Sequence, residues 1–427
     1  MDLEAVETTL RAALLAEGPP ILAGLLNGIG SGRQDAPVLC PRCRIPMESH
    51  GRKTKTVVTM VGCTPFSRSM FECPRCDAVR FPGDEALGIV NTTRSPGVLR
   101  LVAFVAHEAP FSKAARQLDV LAGLHLSVKD VERIAEGVGK DMMTCNDRMV
   151  MQYSRAESVA SAGIIPVMYI EADGTGTPMV KRELEGRRGK QPDGKAKTRE
   201  AKIGCVFTQT TTDEQGRAVR DPGSTTLVGR IESSEAFGKR LYAEAVRRGL
   251  FEAAVVVFLG DGAPWLRTLV ETHFPRAVHI IDLFHAKEHV ALLTKLLFYR
   301  DDAAAMALRN LWWEHLEKGE IEVILTEGRQ LLKSHRTFEK EIEGELAYLE
   351  KNKNRMRYAW FRARGFFVGS GVVEAACRTI VGERLKKSGM KWTKDGANDI
   401  IALRCTYLSN SEEDYWEQRA TAGAKTH

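Results

Sequence analysis

The chain has 427 residues, of which 44% are hydrophobic and 27% charged, with a formal net charge of +6. That length exceeds one simple core, so two to four domains of ordinary globular composition are expected. A mildly basic balance permits an acidic partner such as nucleic acid without requiring one. No apolar run reaches the roughly 20 residues that crossing a bilayer takes. The opening Met1-Asp2-Leu3-Glu4 lacks the basic region of a secretory signal, so the expectation is a cytoplasmic protein with no membrane partner.

Residues 1–35 read as a helix, Leu3 through Ala16, followed by a Gly/Pro-rich connector. Residues 36–90 hold five of the nine cysteines, Cys40, Cys43, Cys63, Cys73 and Cys76. Cys40-Pro41-Arg42-Cys43 and Cys73-Pro74-Arg75-Cys76 are two C-x-x-C knuckles flanking a predicted hairpin, Thr56–Val61 and Phe66–Phe71. Four thiolates so spaced can wrap one Zn2+ tetrahedrally, and a ribbon this small has little other core. Redox thiols are the competing reading; the matched pair of knuckles favours zinc. The odd total of cysteines argues against a disulfide scaffold.

Residues 91–160 carry helical patterning. Val98, Leu101, Val102 and Val105 recur on one face. Ser112 is placed to cap a second helix, and Ser127 a third. Helix, short Gly-containing turn and Ser-capped helix is the shape of a helix-turn-helix, although plain helical linkers share it.

From residue 161 to 284 the texture changes to strands. Ile164–Ala172, Ala201–Thr210 and Thr225–Gly229 are predicted strands, followed by a helix from Ser233 to about Arg248. A strand ending at Asp261, a helix Pro264–His273 and a strand Ala277–Asp282 complete the stretch. Hairpin-like strands followed by β-α-β indicate a mixed sheet with helices on its faces. Residues 285–365 are helical in pattern and read as an insertion. Residues 366–410 hold a last helix pattern starting in Gly369-Ser370-Gly371-Val372-Val373-Glu374, and 411–427 form a tail.

Three carboxylates stand out. Asp173 and Asp261 each follow an apolar strand, where open sheets place their sites, and flanking glycines let a phosphate backbone approach. Glu374 sits at a helix start. Singly, Asp173-Gly174 and Asp261-Gly262 could be hairpin turns, and Glu374 an ordinary helix-start glutamate pairing with Arg378. Together the three suit Mg2+ or Mn2+ in two-metal phosphoryl transfer. Asp282, His285 and His289 share a helix face; a metal site is one reading of them, and the favoured one is that they orient the site by hydrogen bonding. Positive charge surrounds these positions. The loop after Asp173 carries Arg187, Arg188, Lys190, Lys195, Lys197 and Arg199, and the segment after Glu374 carries Arg378, Arg384, Lys386, Lys387 and Lys391. Both stretches are candidates for gripping a DNA backbone.

Tyr169-Ile170-Glu171-Ala172-Asp173-Gly174-Thr175-Gly176, Gly260-Asp261-Gly262-Ala263, His285-Ala286-Lys287-Glu288-His289 and Gly369-Ser370-Gly371-Val372-Val373-Glu374-Ala375-Ala376-Cys377 resemble bacterial DDE insertion-sequence transposases of the IS-Kra type. So do Lys197–Gln209 and Arg384-Leu385-Lys386-Lys387-Ser388-Gly389-Met390-Lys391-Trp392. The resemblance covers nearly the whole chain. It implies an RNase H-like core, a mixed five-stranded sheet interrupted by helices before the final glutamate. It also implies magnesium-dependent cleavage and strand transfer at an element's ends by Asp173, Asp261 and Glu374. The implied partners are double-stranded DNA, both terminal repeats and target, and further copies of the chain, since two ends are cut in one complex. Asp282-x-x-His285 resembles a Cys/Asp-x-x-His motif of related transposases. Another RNase H-like nuclease or resolvase would share such a core, and a domesticated DNA-binding protein is the non-enzyme alternative. The retained carboxylates argue against the latter.

Overall fold

A computed structural model describes residues 2–29, 37–153, 165–189, 194, 196–387 and 389–424. Lys190, Lys195 and Ser388 lie outside the described residues. The chain divides into two compact units, Met1–Met142 with Asn410–His427, and Met143–Ser409.

The first unit opens with helix α1 (Leu3–Ile29), which runs on through Pro19 and Pro20 instead of ending near Ala16. Around these prolines the helix lies against the turn that follows it in the same unit. A Cβ on Gly18 would meet the Val61 Cβ at 2.8 Å, and one on Gly62 would meet the Pro19 Cγ at 2.9 Å. The segment Leu3–Gly28 reaches a mean hydropathy of 1.2, so α1 is long and apolar enough to cross a membrane by length and composition. That departs from the expectation that no apolar run is long enough to cross a bilayer. Strands β1 (Glu48–Thr59) and β2 (Gly62–Glu72) form an antiparallel hairpin, with β3 (Val79–Arg80) beside β2. Helix α2 (Pro82–Ala86) follows.

Helices α3 (Pro96–Ala106), α4 (Phe111–Ala122) and α5 (Val128–Tyr153) come next. Val98, Val102, Ala106, Ala114, Leu118, Val131, Ala135 and Val138 are buried at helical spacing. Ser95 and Ser127 cap α3 and α5, accepting from the N–H groups of Val98 and Asp130. Ser112 caps nothing: α4 starts one residue earlier, behind Pro110, whose carbonyl takes the Ala114 N–H at 2.8 Å.

The second unit is built on a mixed sheet. Strand β4 (Ile165–Pro178) pairs antiparallel with β5 (Thr198–Gln209) over twelve registered positions, from Val167↔Gln209 to Pro178↔Thr198. A small ribbon, β6 (Thr211–Thr212) with β7 (Ala218–Val219), leads to β8 (Thr226–Arg230). Helix α6 (Ser234–Arg247), capped by Ser233, connects to β9 (Ala253–Gly260). Helix α7 (Pro264–His273) connects to β10 (Val278–Ile281). The five-stranded order is β10-β9-β4-β5-β8, with β9 and β10 parallel to β4 and the other pairs antiparallel.

Period-two alternation gives β4 two faces. Met168, Ile170 and Ala172 join Phe237, Leu241, Leu266 and Leu269 of α6 and α7 in one core. Tyr169, Glu171 and Asp173 point to the opposite face, where Phe367 packs edge-on against Tyr169.

Helices α8 (Leu283–Leu297), α9 (Asp302–Lys318), α10 (Ile321–Leu332), α11 (Glu339–Asn352) and α12 (Tyr358–Arg362) lie between β10 and α13 (Gly371–Cys377). A π-helical turn, Arg378–Gly382, links α13 to α14 (Glu383–Leu385). Helix α15 (Lys394–Leu408) follows. A Cβ on Gly229 of β8 would strike Ile401 of α15 at 2.9 Å, which shows how closely that helix covers the sheet. Helix α16 (Glu412–Ala424) then belongs to the first unit, where Tyr415 and Arg419 bond to Asp141 at 2.8 and 2.6 Å.

Candidate active site and candidate metal centre

Asp173 does not close a strand. It lies inside β4, opposite Ile203, and Asp173-Gly174-Thr175-Gly176 continues the ladder instead of turning. The glycines serve packing across the pair: a Cβ at Gly174 would fall 2.5 Å from Glu200 Oε1, and one at Gly176 would fall 2.9 Å from Thr198 Oγ1. Asp261 directly follows β9, as expected. Glu171 is level with Leu259 at the last registered pair of these parallel neighbours, and Asp173 and Asp261 each follow two residues later, near enough for the charge of one to act on the other. The Asp173 carboxyl is held above its usual range, first by burial and then by the charge of Asp261; the Gly174 N–H and the Cys377 thiol pull the other way. Asp261 is anchored in its own turn, with Oδ1 accepting the Ala263 N–H at 2.8 Å.

Glu374 is carried by α13, whose placement depends on a carboxyl group that the sequence reading passed over. Glu171 is fully buried, and its Oε2 accepts the Val373 N–H at 2.8 Å. Burial pushes this carboxyl up to about 8, against the hydrogen bond from Val373. One turn beyond Glu374 stands Cys377, whose thiol lies near enough to Asp173 to favour that carboxylate. Glu374 itself is exposed, and its Oε1 accepts from the Ser370 hydroxyl at 3.1 Å. The sequence signal for Glu171 was present: it stands two residues before Asp173 and therefore on the same face of β4.

Asp282 links three elements. Its N–H donates to the Gly260 carbonyl at 2.8 Å. Its Oδ1 caps α8 through the His285 N–H at 2.8 Å, and its Oδ2 takes the Ser370 N–H at 2.6 Å. The end of β9, the start of α8 and the turn before Glu374 thus meet on one buried residue, the first through its backbone N–H and the other two through its carboxylate. His285 lies near enough to Asp173 for its charge to favour the carboxylate. His289 turns away to Glu345, at 2.6 Å.

An all-carboxylate donor set suits a hard divalent cation, and crowding two half-buried aspartates is what a bound cation would relieve. The three carboxylates do not converge as tightly as ligands of a single ion. Among the described residues, only four cysteines form a group of three or more potential ligands lying within 4.8 Å of one another. Two ions about 4 Å apart spread their ligands more widely than one ion does.

The basic residues divide. Arg187, Arg188, Lys197, Arg378, Lys386, Lys387 and Lys391 are exposed. Lys386 donates to Thr175 at 2.8 Å, two residues beyond Asp173. Arg199 is half-buried and paired with Glu183 at 3.1 Å. Arg384 is a correction: it is fully buried, its guanidinium 5.5 Å from the Trp392 ring centroid, so it is not available to a DNA backbone. Burial, with the nearby Arg404 charge, brings its pKa down to about 10.

In the other unit, Cys40, Cys43, Cys73 and Cys76 bring their sulfurs within 4.8 Å of one another. The two knuckles repeat one backbone turn. Arg44 N–H bonds to the Cys40 carbonyl and Asp77 N–H to that of Cys73, at 2.9 and 3.0 Å. Both Arg44 and Asp77 take the left-handed conformation, with φ of 60° and 54°. The Cys43 N–H donates to Cys40 Sγ at 3.4 Å and holds that thiol below its usual range, while Cys43 and Cys76, crowded by burial and the neighbouring thiols, are raised. The cluster can hold a zinc ion. Cys63 is exposed and stands apart from it.

A model of a family described as "Uncharacterised protein family (UPF0236)" matches residues 242–420, less than half of the chain. A relative described as "UPF0236 protein in vanSb 3'region", from Streptococcus gallolyticus, is 22% identical over 354 residues, covering 78% of this chain and 68% of that protein. Among solved structures, the Drosophila P element transposase strand transfer complex aligns over 78% of this chain and 83% of the other, at 9% identity and a TM-score of 0.26. Likeness at that level has no bearing on fold or chemistry. Neither family description names an activity.

Proposed function

We propose that this chain is a DDE-type transposase with an RNase H-like core, cleaving and joining DNA at the ends of an insertion sequence. The observation that carries the reading is the proximity of Asp173, on β4, to Asp261, just past the end of the neighbouring strand β9, with α13 and Glu374 seated on β4 through the Val373–Glu171 hydrogen bond. The strand order, three antiparallel strands followed by two parallel to the first, supports the same fold. A pair of Mg2+ or Mn2+ ions would supply Lewis acidity toward an attacking hydroxyl and a departing 3′ oxygen. Asp173, Asp261 and Glu374 would hold the cations. Asp282 and Ser370 aim Glu374 and keep its turn against the end of β9. Lys386, Lys387, Lys391 and Arg378, with Arg187, Arg188 and Lys197 of the loop after β4, take phosphates of the bound duplex. The zinc-binding hairpin and helices α3–α5 recognise the element's end, and two copies of the chain act together on two ends.

The test is a purified protein with a duplex carrying the element's terminal repeat. Asp261→Ala abolishes Mg2+-dependent nicking while end binding in a gel-shift assay stays near wild type. Lost binding, or retained nicking, would assign Asp261 a different role.

A further inference from the structure

We propose that Tyr348, on the helical insertion, is a positioning residue for Asp261, fixing the peptide from which that carboxylate projects. The inference rests on the reading of Asp173, Asp261 and Glu374 as a cation site. Its ground is the geometry at the end of β9. The ladder between β9 and β10 stops at Gly260, opposite Ile281, and the Gly260 carbonyl is taken by Asp282. Asp261 lies one residue beyond, where the sheet no longer holds the chain. Its carboxylate is locked to its own turn through Ala263, so the direction of the side chain follows the direction of the turn. Tyr348 Oη donates to the Asp261 carbonyl at 3.1 Å, reaching in from α11 across 87 residues of sequence.

Gly262 records how close that approach is. Its φ of +81° is one that L side chains rarely adopt, and a Cβ there would lie 2.5 Å from Tyr348 Oη and 3.0 Å from Ile281 Cδ1. The tyrosine is braced in turn. Its ring stacks on His289 of α8, with centroids 3.8 Å apart and planes 20° from parallel. His289 Nδ1 is bonded to Glu345 Oε2 at 2.6 Å, and Glu345 stands three residues before Tyr348 on the same helix. Helix α8 begins at Asp282, which is itself bonded to Gly260. The contacts therefore close a ring: end of β9, start of α8, His289, Tyr348, and back to the end of β9. The helices between β10 and α13 help build the site from behind.

The experiment measures Mn2+ binding to the full-length protein by electron paramagnetic resonance, alongside thermal unfolding and end cleavage. Asp173→Asn identifies the signal that belongs to this site. Tyr348→Phe keeps the ring on His289 and removes only the hydroxyl. It should weaken Mn2+ binding about fivefold, the equivalent of one ordinary hydrogen bond, with a melting temperature close to wild type. Cleavage at saturating DNA should slow while end affinity is unchanged. Wild-type Mn2+ affinity in Tyr348→Phe overturns the proposal. Gly262→Ala supplies a second route. Its backbone strain is common to both backgrounds, so its cost in Mn2+ affinity should be several-fold smaller when Tyr348 is already Phe; equal costs overturn the proposal. If the wild type cuts no DNA but Mn2+ binding is lost in Asp173→Asn and weakened in Tyr348→Phe, the transposase reading falls and the role of Tyr348 stands. If Asp173→Asn leaves Mn2+ binding intact, the cation site falls and this inference with it.

Discussion

Glu171 and Val373, 202 residues apart in sequence, are joined by a 2.8 Å hydrogen bond from the Val373 N–H to the Glu171 Oε2. This contact seats the helix of Glu374 on the strand of Asp173. Only one oxygen of Glu171 is so used; Oε1 is buried with no hydrogen-bond partner among the described residues.

An amide can therefore replace this carboxyl. Glu171→Gln keeps an acceptor for Val373 and turns its NH2 toward the unused side. It should cost less than about 1 kcal/mol in urea unfolding, whereas Glu171→Ala, leaving a buried N–H unpaired beside a cavity, should cost about 2–4 kcal/mol. A glutamine variant as unstable as the alanine variant would mean that the contact is not a simple acceptor role.

Asp282 should behave in the opposite way. Both of its oxygens accept backbone N–H groups, Oδ1 from His285 and Oδ2 from Ser370. Asn must point its NH2 at one of those donors. Asp282→Asn is thus expected to fall within about 1 kcal/mol of Asp282→Ala in unfolding free energy, both well below wild type. An asparagine variant of wild-type stability would rule out the two-acceptor geometry.

Local signals in the sequence located many elements and misjudged others for identifiable reasons. The apolar approach to Asp261 marked a strand covered on both faces, and Pro264 marked the first residue of α7. Ser127 caps α5 as its position signalled, whereas Ser112 does not cap α4, because that helix starts one residue earlier behind Pro110. The matched knuckles around Cys40 and Cys73 encode their own turn, so the cysteine cluster was legible from spacing alone. Asp173 was misplaced because Asp173-Gly174 is locally a turn signal, and only pairing with β5 through Pro178 makes it mid-strand. Arg384 looked like one more surface cation. Its burial beside Trp392 depends on packing that no short window reports. Tyr348 was invisible as a site residue for the same reason, since its partner lies 87 residues away, whereas Glu171 stands two residues before Asp173 on the same face of β4 and was legible there.

The cysteine centre predicts a stoichiometry and a contrast. The protein should retain one zinc per chain, released by strong chelators with loss of structure in the hairpin unit, because Val38 and Met47 are nearly all the core these knuckles have besides the cysteines. Cys73→Ser should lose most of that zinc, while Cys63→Ser, exposed and outside the cluster, should keep it. Metal analysis showing equal loss in both variants would remove the four-thiolate assignment.

His279 predicts a pH dependence of stability. It lies on β10 with its ring edge-on to Phe258, 5.5 Å between centroids, and its Nε2 is buried with no hydrogen-bond partner among the described residues. Burial, reinforced by Arg355 and Arg267 and opposed by Glu271, lowers its pKa to about 3. The folded protein therefore keeps this ring neutral across a range in which the unfolded chain binds a proton. Above the unfolded value near 6.5 the histidine costs nothing; as pH falls from there toward 3, stability is lost by up to about 1.4 kcal/mol per unit. Between pH 7 and pH 5 its share should approach about 2 kcal/mol. His279→Phe, which fills the same aromatic site without titrating, should show a decline over that interval smaller than wild type by that amount in urea unfolding at the two pH values. The difference between the two proteins isolates the histidine from all other titrating groups, and parallel declines would show that this ring is protonated as readily in the folded chain as in the unfolded one.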